Sequence, residues 1–326
     1  MQHAYDLLVM GDDNPDIVAG PLDAPLAFGQ RERLVDSGAL TLGGSASIMA
    51  CGAARLGLKV AFAGRVGDDD AGRFVRGALE DRGVDTSALR VDPALATPLT
   101  VVLTRPDGDR AILTSSGTLP ATGPEDVPEA LLTGSRHVHA ASYFLLPRLA
   151  AALPALFATA RAHGATTSLD TNDDPADAWA PGGLEAVLAV TDHLLPNAQE
   201  ATALAACAAG AAGAARDASP EASAAALAAL GPHVIVKDGA RGALAHDGRT
   251  LLRTPAVPVR PLDTVGAADS FDAGFVAARP RGLSTEHAPE IAAACGALST
   301  RAHGGTPAQP TWDEAAAAVT RNGKNL

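Results

Sequence analysis

Short apolar runs, each followed by a segment with helical periodicity, recur along most of this chain. Alternation of this kind is typical of a parallel sheet covered by helices on both faces. The pattern therefore predicts an α/β fold around a central, mostly parallel sheet. The predicted strands are Leu7–Met10, Val60–Ala63, His137–Ala141, Thr166–Leu169, His193–Leu195 and Val234–Val236.

Two segments, residues 17–42 and 97–118, interrupt this rhythm. The first mixes Pro, Gly and polar residues without a helical period. In the second, Asp107-Gly108 separates two β-rich arms, which is a strong hairpin signal. Strands inserted into an α/β chain usually form a separate small sheet. We therefore predict one α/β domain over residues 1–326, with a small β-sheet inserted from these two segments.

Polar clusters follow four of the predicted strands. They begin at Gly11, Asp170, Pro196 and Lys237. Ligands bind outside the carboxyl ends of the strands in open α/β sheets, so the four clusters predict one common cleft.

Asn14 and Asp16 lie in the first of these clusters. An amide and a carboxylate two positions apart in an extended segment point the same way and suit adjacent hydroxyls of a polyol. The alternative is a Pro-containing turn with Asx hydrogen bonds. Their position at a strand end favours substrate binding, and Asp170 and Asn172 receive a similar assignment.

Residues 262–275 combine an anion-binding turn with the start of a helix. Gly266, Ala267 and Ala268 lie between a Pro-rich extended run and an apolar helical run that begins near Ser270. Their backbone N–H groups are therefore predicted at a helix N-terminus, where unpaired donors and the helix dipole favour an anion.

Asp269 follows this turn directly. An ionised acid in an anion site makes sense if it accepts a proton from a nucleophile while the amides hold the phosphate under attack. The alternative is that Asp269 is only a first-turn acid in favourable register with the dipole. Spacing alone leaves both interpretations open.

Residues 263–271, Asp-Thr-Val-Gly-Ala-Ala-Asp-Ser-Phe, resemble the C-terminal signature of the ribokinase-like (PfkB) carbohydrate kinases, Asp-Thr-x-Gly-Ala-Gly-Asp-x-Phe. The resemblance implies a three-layer α/β/α sandwich with a small β-sheet lid. It also implies that Asp269 is the catalytic base and that the amides of Gly266, Ala267 and Ala268 form an anion hole. Ala268 replaces the usual Gly and tolerates positive φ poorly, so the hole requires a right-handed backbone there.

The segment that begins Gly43-Gly44-Ser-Ala-Ser-Ile resembles the N-terminal signature of the same family, in which a Gly pair before a helix approaches the sugar. Gly43 and Gly44 are therefore assigned to substrate binding, although a simple tight turn is the alternative. Ile48 stands where Asn is common and offers no polar atom, which shifts the expected sugar contact to Ser47 or to water.

Asn197-Ala-Gln-Glu200 resembles the Asn-x-x-Glu motif of the family. The resemblance implies that Asn197 lies near ATP and that Glu200 organises Mg²⁺ through water. Asn followed three residues later by Glu is also close to a capping box. Both interpretations can hold, because an acid in a phosphate cleft needs a cation to offset the repulsion.

Further nucleotide contacts are implied by the resemblance at the end of the predicted strand over 234–236 and in the C-terminal signature. Asp263, with the backbone near Val265, would be half of a monovalent cation site for K⁺. The residues assigned to ATP are Lys237, Gly239, Gly242, Thr264 and Gly266.

Charge and cysteine content exclude several other classes. The formal charge is −12 and no basic cluster stands out, so a small polar ligand is expected and nucleic acid is not. Cys51, Cys207 and Cys295 show no metal-binding spacing, which predicts free buried thiols in a reducing compartment. Without a signal-like N-terminus or a bilayer-length apolar run, we expect a cytoplasmic protein with no membrane partner.

The resemblance implies an ATP-dependent kinase that transfers the γ-phosphoryl group to a hydroxyl of a sugar or sugar-like substrate, with ATP and Mg²⁺. A homodimer through the lid is a further expectation, and the lack of an Arg cluster in the lid disfavours a phosphorylated acceptor. One alternative is a nucleoside kinase, because residues 143–145 (Tyr-Phe-Leu) could stack on a base. The other is a non-catalytic sugar or nucleotide sensor, suggested by Ala268 and Ile48.

Overall fold

The computed structural model describes residues 3–107, 109–179, 183–208 and 218–321. Strands are more frequent in the first half of the chain than in the second. They are β1 (Tyr5–Met10), β2 (Asn14–Gly20), β3 (Ser37–Gly43), β4 (Val60–Gly67), β5 (Asp85–Asp92), β6 (Leu99–Thr104), β7 (Arg110–Ser115), β8 (Ser135–Ala140), β9 (Thr166–Leu169), β10 (His193–Leu194), β11 (His233–Lys237), β12 (Ala243–His246) and β13 (Leu251–Thr254).

Helices fill most of the connections between these strands. They are α1 (Ser45–Arg55), α2 (Asp70–Glu80), α3 (Glu129–Gly134), α4 (Pro147–Ala162), α5 (Leu184–Leu188), α6 (Ala198–Ala208), α7 (Pro220–Ala228), α8 (Ala267–Ala278), α9 (Ala288–Ser299) and α10 (Trp312–Arg321). Across the described ranges, none of these helices is both long enough and apolar enough to cross a bilayer.

The large sheet has nine strands in the order β13-β12-β11-β10-β9-β8-β1-β4-β5. Neighbours from β11 through to β5 pair in parallel, and β12 and β13 add an antiparallel edge. All six strands predicted from apolar runs belong to this sheet, which confirms the predicted mostly parallel core. The parallel direction brings the carboxyl ends of β1, β9, β10 and β11 to the same edge.

The core is divided between the two faces of this sheet. Successive residues of a strand point to opposite faces, so Leu7 and Val9 pack in one apolar cluster while Leu8 and Met10 pack in the other. Helices α1, α8 and α9 contribute to the first cluster, and α4, α6 and α7 to the second. This double-sided burial fixes the register of the strands and therefore the position of their polar ends.

The inserted strands form a separate four-stranded sheet in the order β3-β2-β6-β7, as predicted. Strands β6 and β7 form the predicted hairpin, pairing from Leu99–Ser115 to Thr104–Arg110. Gly108 lies outside the described residues. The separate sheet is thus established, whereas the single-domain boundary at residues 1–326 stays a prediction.

The three cysteines are free thiols, as expected. Burial raises the pKa of Cys51 to about 12 and also raises the pKa of Cys295. Both thiols therefore stay protonated at neutral pH and act as small apolar side chains. Cys207 is only partly buried.

Candidate active site

A buried lysine lies at the centre of the polar strand ends. Lys237, the last residue of β11, has its Nζ 2.5 Å from Asp170 and 3.1 Å from Asp272. Burial alone would lower the pKa of Lys237, but the charges of Asp170 and Asp272 raise it, so the ammonium stays protonated. Its side chain is thereby committed to two carboxylates, and the contact with ATP assigned to Lys237 stays a prediction.

The pKa values of the two carboxylates beside this lysine are shifted in opposite directions. Burial would raise the pKa of Asp170, but Lys237 and a hydrogen bond with Asp272 lower it. Burial raises the pKa of Asp272 well above its usual value, against the charge of Lys237. These opposite shifts favour the charged form on Asp170 over the charged form on Asp272.

Asp269 lies one helical turn before Asp272, on the same face of α8. Its side chain is buried. Burial raises the pKa of Asp269 to about 8, and the charge of Asp170 raises it as well, whereas Lys237 and a hydrogen bond with Ser45 lower it. Asp269 is thus an acid that exchanges its proton close to neutral pH.

Helix α8 begins with unpaired amides. It starts at Ala267, three residues earlier than the apolar pattern indicated, with Gly266 as its N-cap. The N–H groups of Gly266, Ala268 and Asp269 have no hydrogen-bond partner among the described residues, and that of Ala267 makes only a 3.3 Å contact to the Thr264 carbonyl. These N–H groups can bind an anion beside the Asp269 carboxyl group.

Gly266 is required by its conformation and by its neighbours. Its φ is 71°, in the left-handed region. A Cβ at this position would lie 2.5 Å from Cα of Gly305 and 3.0 Å from Cγ2 of Ile48. Ala268 is absent from the described residues with positive φ, so its replacement of the family's Gly leaves the turn intact.

Two residues not assigned from the sequence, Asp12 and Ser45, join the anion turn to the sheet. The Asp12 carboxylate accepts hydrogen bonds from the N–H groups of Ser45 and Ala46, both at 3.0 Å, and so caps α1. The Ser45 hydroxyl accepts from Asn172 Nδ2 at 2.9 Å and lies beside Asp269. The Gly-Gly-Ser sequence gave a weak signal for Ser45, because the first hydroxyl after the Gly pair opens the helix.

Asn172 and Asp170 lie at the end of β9, as predicted. Asn172 has a φ of 55°, and its Oδ1 accepts a hydrogen bond from the N–H of Ser142 at 2.8 Å. Asn172 therefore connects the end of β8 to the start of α1. Both assigned residues thus belong to the group of buried polar side chains around Lys237, called here the central network. In it, Asp170 faces Lys237 and Asn172 faces Ser45.

Asn14 and Asp16 lie on β2 and contact each other. Asn14 Nδ2 donates to Asp16 Oδ1 at 2.8 Å and to Thr100 Oγ1 at 3.1 Å. Burial, aided by the charge of Asp12, raises the pKa of Asp16 to about 7. A Cβ at Gly43 would lie 1.9 Å from Asp16 Oδ1, so this glycine makes room for the carboxylate. The pair therefore lies in an extended strand and does not form the isolated Pro-containing turn.

Gly44, Ser47 and Ile48 have structural roles at the start of α1. Gly44 is the N-cap of α1, with a φ of 80°. Ser47 is fully buried and its hydroxyl donates to the Asp12 carbonyl at 3.3 Å. The hydroxyl that lies beside Asp269 is that of Ser45, two positions earlier. Ile48 packs against Gly266 and Gly305, supporting the anion turn from behind.

Asn197 and Glu200 form the capping box that their spacing predicted. The Asn197 N–H donates to Glu200 Oε2 at 2.7 Å, and the Glu200 N–H donates to Asn197 Oδ1 at 2.9 Å. Burial and the charge of Asp170 raise the pKa of Glu200 to about 7, against the charge of Lys237. Glu200 therefore lies in the electrostatic field of the central network.

The other predicted nucleotide and cation contacts lie around two turns. Gly239 and Gly242 form the turn between β11 and β12. Thr264 is exposed. The Asp263 carboxylate accepts from the N–H groups of Val265 and Gly304, both at 2.9 Å, and so ties the anion turn to the loop before α10.

Comparison with known proteins identifies the family of the chain. A family model for the pfkB family carbohydrate kinases matches residues 6–312. The chain is 34% identical over 275 residues to the ATP-dependent ribose-1-phosphate kinase of Halopiger xanaduensis, covering 84% of this chain and 85% of that protein. It is 33% identical over 291 residues to a fructokinase of Klebsiella pneumoniae, covering 83% and 90%.

Solved structures match over almost the whole length. A putative ribokinase II from E. coli in complex with ATP and Mg²⁺ has a TM-score of 0.82 at 23% identity, covering 97% of this chain and 99% of that one. The adenosine kinase of Sinorhizobium meliloti has a TM-score of 0.81 at 22% identity, covering 98% and 99%. At these identities the likeness shows the fold alone.

The large parallel sheet with its small companion sheet is thus the ribokinase fold. The chain belongs to the pfkB family of carbohydrate kinases.

The anion turn can be tested with a matched pair of substitutions. Gly266→Ala should lower turnover by about 100-fold or more, because the added Cβ would displace the amides assigned to the anion hole. It should also lower the free energy of unfolding by roughly 1–3 kcal/mol, because an alanine is strained at this φ. Ala268→Gly should change turnover by only a few-fold and cost about 1 kcal/mol or less. Both effects are measured by ADP release and by urea unfolding.

Equal turnover in these two variants would contradict the assignment of the turn as the anion hole.

Proposed function

We propose that this protein transfers the γ-phosphoryl group of ATP to a hydroxyl of a sugar or sugar-like substrate, with Asp269 as general base. The observation that carries this proposal is the buried Asp269 carboxyl group directly beside unpaired amides at the start of α8. A proton acceptor and an anion site at adjacent positions are what in-line phosphoryl transfer requires.

The proton transfer follows from the position of Asp269. As a carboxylate it accepts the proton of the attacking hydroxyl, and its pKa of about 8 makes it a stronger base than an exposed aspartate. The Ser45 hydroxyl, held by Asn172, orients the carboxyl group. At the same time the N–H groups of Gly266 and Ala268 stabilise the negative charge on the transferred phosphoryl group.

The charge of the site fits a magnesium ion bound mainly by phosphate and water. The described residues contain no group of three or more His, Cys, Asp or Glu side chains that could hold a metal directly. Glu200 has a raised pKa beside Asp170, which a nearby cation would offset. Glu200 would therefore hold Mg²⁺ through water, and the ion would neutralise charge on the phosphates.

A free sugar is a better candidate acceptor than a nucleoside. Tyr143 is 4% exposed and packs edge-on against Phe144, which packs edge-on against Trp179. These rings are committed to the core and to one another rather than open to a base. Asn14 and Asp16, by contrast, lie on the small sheet with polar atoms suited to adjacent hydroxyls.

The acceptor is best identified with a panel of ribose, fructose, ribose 1-phosphate and adenosine, read by ADP release. Binding of these compounds without any ADP release would favour the sensor. Release with adenosine alone would favour the nucleoside kinase.

The small sheet carries an apolar row on the face opposite Asp16, and we propose that it forms a homodimer through this face. Leu40 on β3, Ile17 on β2, Val101 on β6 and Leu113 on β7 are in register across the sheet. Ile17, Leu40 and Leu113 are 38%, 55% and 60% exposed. Asp16 points to the other face, so the row can pair with a second copy while the sheet covers the substrate as a lid.

Two further assignments belong to this proposal. Asp263 and the backbone near Val265 would bind K⁺, and the test is turnover with and without KCl at constant ionic strength. The free thiols support a reducing, cytoplasmic location, for which cell fractionation is the test.

The role of the base can be tested with Asp269→Asn. The amide has the same shape but cannot accept the proton, so turnover should fall by at least about 100-fold while the Kd for ATP stays within a few-fold. Asp313→Asn, which neutralises an exposed acid at the start of α10, is the control and should keep wild-type turnover. Turnover in Asp269→Asn within about threefold of the wild type would remove the proposed base.

The dimer can be tested with Leu113→Glu. A charge in the middle of the apolar row should convert the dimer to a monomer in sedimentation equilibrium, because it would be buried without a partner. Leu262→Glu, at an exposed leucine 63% accessible and outside the small sheet, should leave the dimer unchanged. A wild-type protein that sediments as a monomer at high concentration would overturn this assignment.

A further inference from the structure

A cavity lies on the flank of α1, apart from the central network around Lys237. Its volume is about 540 Å³. Three segments line it: the second half of α1, the turn that follows α2, and the loop before α10. The lining residues are Cys51, Ala54, Arg55, Asp81, Arg82, Thr306, Pro307 and Gln309. None of these residues has a role in the proposed phosphoryl transfer.

Two guanidinium groups line this cavity. Arg82 donates to Thr306 Oγ1 at 2.7 Å, which fixes one wall. Arg55 is exposed and makes no hydrogen bond or ion pair within the described part of the chain, although its charge reaches Glu314. Asp81 is the acid that lines the cavity. In a protein with a net charge of −12, a concave surface with two arginines is a local site for an anion.

One wall of the cavity contains a fixed amide side chain. Gln309 is 5% exposed, and its Nε2 donates to the Ile48 carbonyl at 2.9 Å and to Ser270 Oγ at 3.1 Å. These two bonds fix the orientation of the amide. Its Oε1 is buried and makes no hydrogen bond with the described residues.

Gln309 connects this cavity to the anion turn. Ile48, whose carbonyl it binds, packs against Gly266 and Gly305. Ser270, whose hydroxyl it also binds, follows Asp269 directly on α8. A ligand that engages Gln309 therefore contacts a residue that is hydrogen-bonded to both Ile48 and Ser270, close to the N-terminus of α8.

We propose that this cavity binds a small organic phosphate and that its binding stabilises the anion turn. The phosphate would lie between Arg55 and Arg82, and the rest of the ligand would contact Gln309. This site is separate from the one that binds the acceptor and ATP. Because binding is measured without turnover, the proposal can fail while the kinase assignment stands, and the reverse also holds.

The test is calorimetric titration of the full-length protein with ribose 5-phosphate, without ATP. Arg55→Glu should weaken binding at least tenfold, since it replaces an attraction by a repulsion at an exposed position. Arg249→Glu makes the same charge change at an exposed turn residue and should bind as the wild type does. Ala54→Phe, which fills the cavity without changing charge, should also weaken binding. Ribose without the phosphate should not show this dependence on Arg55.

Hydrogen–deuterium exchange tests the connection to the anion turn. Ribose 5-phosphate should slow exchange of residues 264–270 several-fold in the wild type and in Arg249→Glu, and not in Arg55→Glu. Equal affinity of the wild type and Arg55→Glu, or no binding to the wild type, would overturn the site. Binding that leaves exchange over 264–270 unchanged would overturn its effect on the turn.

Discussion

The buried contact of Lys237 with Asp170 and Asp272 is the interaction on which the site depends. It joins the carboxyl ends of β9 and β11 across β10, and through Asp272 it joins both to α8. Removing one partner of a buried ion pair leaves an uncompensated charge and typically costs about 3–5 kcal/mol. Because Asp269 is one turn from Asp272 on the same helix, this contact also sets the position of the proposed base.

One lysine does not balance all the acids that surround it. Burial, together with the charge of Asp170, raises the pKa values of Asp269 and Glu200 to about 8 and about 7, so both acids stay partly protonated near neutral pH. A cleft in this state attracts cations and repels free anions. A nucleotide phosphate therefore needs the amides of α8 and an accompanying cation in order to enter, and both needs agree with the proposed function.

Local sequence patterns were sufficient for most of the fold. The apolar runs predicted six strands of the large sheet, and the interruption of their rhythm predicted the small sheet. Strands β5, β12 and β13 were missed, because a mixed edge strand and two four-residue strands give little periodicity. The position of polar residues at strand ends correctly indicated that Asp170, Glu200 and Lys237 would lie together.

The rest of the site depends on contacts between distant segments. Asp12 caps α1 across 33 residues, and no local pattern indicates this pairing. The helix start at Ala267 follows from the left-handed φ of Gly266, which a sequence of small residues leaves undetermined. The structure explains the two departures from the family signature. Ile48 packs behind the anion turn, and Ala268 does not require a positive φ.

The dependence of kcat/KM for the sugar on pH, measured at saturating ATP and Mg²⁺, tests the central claim most directly. Asp269 acts only as a carboxylate, and its pKa in the folded protein is about 8. The rate should therefore rise close to tenfold per pH unit between pH ~6 and pH ~7.5 and level off above pH ~8.5. A profile that is flat over this range, or that falls as the pH rises, would contradict the account.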